Sequence, residues 1–329
     1  MPLVKFNKPA LDLAQQLQKW QIRGLGVGDS ASAIHYLEFI GYYRFSGYAL
    51  SFQDAGHADK HFKPGTRFED LLSLYVFDRE LRLLVMDAIE RTESAIKARI
   101  VNEMSVKHGP HWFMDSKHFV LPPPPQLRPV KPYFSHNDLL DQIDGDLGIP
   151  KSAKLPCRPH NEVFINHYYK CYSDPYLPPA WMVFEILSMG TVSRLFAGLK
   201  EPNDRSAIAS RFGVDEQVLQ NWLHVISHIR NMCAHHRRLW NRQLVIKFII
   251  SKKLAYLVAH LPLKDRFYAI AVILHYFMGI VAPKSTWHCR LSDLINTCPL
   301  PPAGHMGFPN GWRSLPFWSI EPAAVDYSI

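Results

Sequence analysis

Positions 230 to 236, RNMCAHH, set one guanidinium, one carboxamide and two imidazoles within two helical turns. Cutting RNA without a metal needs a base at a ribose hydroxyl, an acid at the leaving oxygen, and positive charge where phosphate charge develops. Histidine can take either proton-handling role near neutral pH, because its reference pKa is about 6.5. Arginine presents a planar fork matched to phosphate oxygens. On this reading His235 or His236 handles the proton. Asn231 lies four residues before His235, on the same helix face, and could orient its ring. Arg230 fits less well, since five residues at ~100° each place it roughly 140° from His235 around the axis. Two copies of the motif facing across a two-fold axis would bring the Arg of one to the His of the other, as a homodimer does naturally. A solvated helix face with a few hydrogen bonds has the same composition, so spacing alone leaves both readings open.

Charge points to a polyanionic partner. The chain of 329 residues carries a net charge of +8 and a pI near 9.2, and a basic surface attracts nucleic acid. Between positions 217 and 264 there is no Asp or Glu, while Arg230, Arg237, Arg238, Arg242, Lys247, Lys252, Lys253 and Lys264 all fall there. Arg237, Arg238, Arg242, Lys247, Lys252 and Lys253 are therefore candidate RNA contacts. Tyr43 and Arg44, beside Tyr42 and Tyr48, could stack on bases with a cation alongside, although aromatics after an apolar helix are more often core. Arg82 or Glu93 could support the catalytic helix. Cys157, His160, His167 and Cys171 are zinc-ligand types, but their six-residue gap is short for a finger and Pro159 interrupts it. No metal and no cofactor is expected. Gly24, Gly26 and Gly28 lack the strand context of a phosphate loop, which disfavours a nucleotide-transferring toxin.

The elements that must position these groups read as helices. Positions 11 to 50 form helices broken at the three glycines, with Asp29 or Ser30 as a cap. A longer helix spans about 68 to 101. From 108 to 179 a dense run of prolines excludes long helices and leaves an insertion or connector, with one short helix near 161 to 172. Helical periodicity returns over 181–199, 205–212, 216–239, 244–261 and 263–281. The tail from 299 to 329, with Trp312 and Trp318, is expected to pack irregularly over the core. Four segments result: an N-terminal helical part (1–107), the proline-rich connector (108–179), a helical core with the motif (180–298) and the tail (299–329). Five cysteines without a C-x-x-C pair, and no signal peptide, suggest a reducing cytoplasm. The apolar run 268–282 is short of the roughly 20 residues that span a bilayer, so no membrane is expected.

Five ordered blocks resemble the Abi family of bacterial abortive-infection, phage-resistance proteins, of the AbiD and AbiF type. They are 40–48 (IGYYRFSGY), 77–82 (FDRELR) with the helix after it, 175–190 (PYLPPAW leading to EILSMG), 229–242 (IRNMCAHHRRLWNR), and 306–309 (MGFP) with Trp312. That family is similar in turn to the HEPN superfamily, all-helical bundles with an Arg-x4-6-His motif whose active members cut RNA as dimers without metal. The resemblance implies an all-α, HEPN-like bundle, Arg230 and His235 as the catalytic pair with Asn231 as the following polar residue, and His236 as an alternative. It also implies a homodimer acting on RNA in anti-phage defence. A non-catalytic role, holding a structured non-coding RNA, is the other function that some relatives imply.

Overall fold

The computed structural model describes residues 5–56, 59–121, 134–151, 153, 155–250, 254–258, 263 and 265–319. Among these residues the fold is all-α, with no β-strand and three isolated bridges. It opens with α1 (Leu13–Ile22), α2 (Ser30–Ile40) and α3 (Tyr42–Ala49). Asp12 and Gln15 close α1 with a reciprocal capping box, and the Asp29 carboxylate caps α2 by accepting from the amides of Ala31 and Ser32. The glycines between them serve structure: Gly26 exchanges backbone hydrogen bonds with Thr66 and Phe68, tying α1 to the start of α4 (Phe68–His108).

α4 is the spine. Its 41 residues extend about 60 Å, seven residues beyond the expected end, until Gly109 takes a positive φ of 89°. Leu71, Leu74, Leu81, Val85, Ala88, Ile89, Ile96 and Ile100 recur at helical spacing and are buried; each large one contributes roughly 1.5–3 kcal/mol. Around α4 pack α3, α7 (Ala180–Ile186), α9 (Pro202–Ser210), α10 (Glu216–Ala234), α12 (Phe267–Val281) and α13 (Trp287–Asn296). α12 is apolar on every face, consistent with its burial. One apolar core runs from Leu17 to Trp318.

Several expected boundaries move. The connector holds α5 (His136–Leu147) as well as the expected short helix, α6 (Val163–Cys171). The prolines pause between 132 and 150, Ser135 caps the start of α5, and Gly148 ends it in the left-handed region. The single helix expected over 181–199 is two, α7 and α8 (Met189–Gly198), because Ser188 leaves the helix to cap α8 through its Oγ. Of the helix expected over 244–261, residues 244–250 are not helical and α11 is described over Ala255–Val258. Val245, Ile246, Ile249 and Ile250 make 244–250 rich in β-branched residues that disfavour helix, and the amide of Asn221 supplies the Ile249 N–H with a partner at 2.9 Å. The described part of the tail, 299–319, is less irregular than expected, with α14 (Pro302–Met306), a 3-10 turn at Trp312–Ser314 and α15 (Pro316–Ser319). Trp312 and Trp318 are buried there. No helix among the described residues is long and apolar enough to cross a membrane.

Candidate functional site

α10 presents the motif at its C-terminal end. Val218, Leu219, Trp222, Leu223, Val225, Ile226, Ile229, Met232 and Cys233 bury one side of the helix, which fixes its rotation against α4 and α8. The helix ends earlier than expected, at Ala234. His236 donates its backbone N–H to the Cys233 carbonyl (2.9 Å) and Arg237 donates to that of Met232 (2.8 Å), while His236 has φ of +54°. This is the Schellman arrangement, with histidine where glycine is usual. Arg44 secures it by donating from Nη1 to the His236 carbonyl at 3.1 Å. Both His235 and His236 are exposed.

The chain after the turn is anchored to a buried carboxylate. Asp78 of α4 accepts from the backbone amides of Leu239 (3.1 Å) and Trp240 (2.7 Å), from the Tyr48 hydroxyl (2.7 Å) and from Arg82. Burial pushes the Asp78 carboxyl up, and Arg82, Tyr48 and the two amides pull it back. Arg238 donates to the Gly47 carbonyl, and the Trp240 indole donates to Ser51 Oγ at 3.0 Å. Arg82 thus supports the motif through Asp78, as one of the two expected supports.

The four motif residues separate into two sides. Arg230 turns toward α4 and α7, into a cleft of about 340 Å³ lined by Met86, Ile89, Glu90, Glu93, Lys97 and Glu185, and its buried Nε has no hydrogen-bond partner. Glu93 is paired with Lys97 at 2.9 Å. Asn231 lies on the other side, in a cleft of about 710 Å³ between α8 and α10. The Asn231 side chain makes no hydrogen bond to His235 among the described residues; the helical bond from His235 N–H to the Asn231 carbonyl (3.0 Å) is what joins them. Along the helix, the five-residue step from Arg230 to His235 corresponds to roughly 140° around the axis. Cys233, inside the motif, is no nucleophile: burial pushes its thiol up to about 12.

Among the described residues the acid-free stretch does not form one continuous basic face. Arg237 and Lys247 are exposed and Arg242 is half-buried, but Arg238 is turned inward; Lys252, Lys253 and Lys264 lie outside the described residues. In α3, Tyr43 is 91% exposed next to Arg44, whereas Tyr48 is core and Tyr42 stacks on Trp20 at 4.6 Å. In the Cys/His set, Cys157 donates to the Gly148 carbonyl, the His160 ring meets the backbone of Asp146 and Glu162, and Cys171 sits beside His167. Among the described residues no group of three or more His, Cys, Asp or Glu is placed to hold a metal ion.

Sequence reasoning pairs Asp78 with Arg82 four residues on, as found, but missed that Asp78 is buried and holds the backbone of 239–240, and it missed the polar row along α10. Gln217, Asn221, His224, His228, Asn231 and His235 follow one another at steps of three or four residues, a periodicity that was available as the complement of the apolar stripe. Burial depresses the basicity of His228, and its neighbours Arg242, His224 and Arg237 lower it further.

The family described as Abi-like protein matches residues 35–241, more than half of the chain and inclusive of the whole motif. No curated protein and no solved structure matches.

Proposed function

The chain belongs to the Abi-like family, which supports a role in abortive infection by phage, and on that premise we propose that it acts on RNA as a metal-independent endoribonuclease of the HEPN kind. The active form is a homodimer. The observation that carries this reading is the display of the motif: α10 ends in a fixed turn that leaves both imidazoles exposed, with Arg230 unpaired at Nε one turn earlier. His235 takes the proton of a ribose 2′-hydroxyl, or delivers one to the 5′-oxygen that leaves as the 2′-oxygen bonds to phosphorus. Arg230, from the facing copy, stabilises the negative charge of the phosphorane-like transition state. Asn231 positions the His, and His236 is the alternative proton carrier.

Arg230→Ala and His235→Ala each lower cleavage of a dye-labelled RNA by about 100-fold or more and abolish phage restriction, with the fold intact by circular dichroism. Folded variants that still cut RNA, or still block phage, overturn the mechanism, and a monomer at working concentration counts against it. The separation of Arg230 from His235 within one copy favours a second reading, a non-catalytic protein that holds a structured RNA. Under that reading the wild-type protein copurifies with RNA, does not cut it, and keeps binding after His235→Ala.

A further inference from the structure

The cleft between α8 and α10 has the chemistry of a strand-binding groove. Its lining contains no Asp or Glu. One wall is α10, with Gln217, Gln220, Asn221, His224, His228 and Asn231; the other is α8, with Ser193 and the exposed Arg194. The third side is the extended segment around Ile249, held to α10 by Asn221, which donates to the Lys247 carbonyl (3.2 Å) and accepts from the Ile249 amide, and by the Trp222 indole, which donates to the Ile249 carbonyl at 2.8 Å. That anchoring sets the exposed Lys247 beside the groove. Phe134 contributes a half-exposed ring, stacked on Phe119 at 5.3 Å. It lies over Gly198, where any Cβ would come within 2.5 Å of it. From Gln217 to Asn231 the row extends about 20 Å, and its next member is His235.

Amides, hydroxyls and imidazoles suit base edges, the part-exposed Phe134 ring gives a base an aromatic edge to pack against, and the exposed cations Arg194 and Lys247 suit phosphates. We propose that this groove is the track along which a single RNA strand lies as it enters the motif; the inference rests on the RNA-directed reading above and assigns it a path. A duplex would keep its base edges paired and out of reach of the amides and imidazoles of α10. A second copy of the chain seated here would set one basic, acid-free face against another, which costs energy in an isologous contact. The dimer contact is then left to the Arg230 side of α10, where Glu90 and Glu185 lie near the arginine and make the surface self-complementary in charge.

The test uses the full chain and a dye-labelled 2′-O-methyl oligouridylate, which lacks the attacking hydroxyl and stays intact whether or not the protein is a nuclease. Binding is read by fluorescence anisotropy between about 50 and 200 mM salt. Arg194→Gln and Lys247→Gln each reduce the slope of log affinity against log salt by about one, and His224→Glu weakens binding about tenfold or more. Unchanged affinity and slope in all three variants overturn the proposal. So does a result in which they convert a dimer to monomer in sedimentation while binding is untouched, which would assign the groove to a second copy. Should His224→Glu fail to fold, photo-crosslinking of a 4-thiouridine strand to the wild type decides: crosslinks at Phe134, within 190–231 or at 247–249 support the track, and crosslinks confined elsewhere overturn it. If RNA is bound in the groove but never cut, the nuclease reading fails and the track stands.

Discussion

His236 is the residue where structure and chemistry compete most directly. Its φ of +54° costs a non-glycine residue about 1 kcal/mol, and the Arg44 hydrogen bond to its carbonyl offsets part of that cost. His236→Gly is therefore expected to raise stability by about 1 kcal/mol in urea unfolding while preserving the turn. The same variant separates the two histidines: cleavage by His236→Gly assigns the proton to His235, and its loss with a preserved dimer assigns it to His236. Arg230 is held differently, in a cleft with three glutamates, of which Glu93 is already paired with Lys97.

At the scale of elements, the motif depends on the junction of α10 with α3 and α4. Asp78 alone joins the spine, the Tyr48 hydroxyl, Arg82 and the backbone of 239–240. Asp78→Ala would leave Arg82 buried without its partner and two amides unsatisfied. The expected loss is about 3–5 kcal/mol in urea unfolding, with weaker RNA cleavage under the proposed function. A loss below about 1 kcal/mol would mean that the turn after α10 is held mainly by Arg238 and Trp240. The block resemblance at 40–48, 77–82 and 229–242 has a physical reason here, because Tyr48, Gly47, Asp78, Arg82, Arg238 and Trp240 make one hydrogen-bonded junction.

Across the whole molecule, the C-terminal tail is clamped by a neutral histidine. His275 of α12 is buried, donates from Nε2 to the Phe317 carbonyl at 3.0 Å and stacks on Trp318 at 4.8 Å. Burial, with His288 alongside, pushes it down to about 4 from 6.5. Above pH 6.5 it is neutral in both folded and unfolded chains and its contribution is constant. As pH falls from 6.5 to 4 only the unfolded chain takes the proton, so stability declines, by about 3 kcal/mol in total, and below 4 the loss levels off. His275→Gln keeps a donor for Phe317 and is expected to flatten this part of the stability profile. An identical pH dependence in the variant and the wild type would place the acid sensitivity elsewhere.

Composition and periodicity were enough to determine an all-α fold, the long spine at α4, the capped start of α2 and the buried apolar α12, and they name Arg230 to His236 as the candidate site. These depend on local patterns, the 3.6-residue repeat, capping residues and spacing along one helix, that a sequence carries directly. Only tertiary structure decided where α10 stops, since the left-handed turn at His236 is held by Arg44 from 192 residues away. It also decided that Arg238 turns inward, that 244–250 leaves the helix to satisfy Asn221, and that Arg230 and Asn231 open onto different clefts. Those outcomes depend on which distant groups meet, and that is fixed when α3, α4, α8 and α10 pack together.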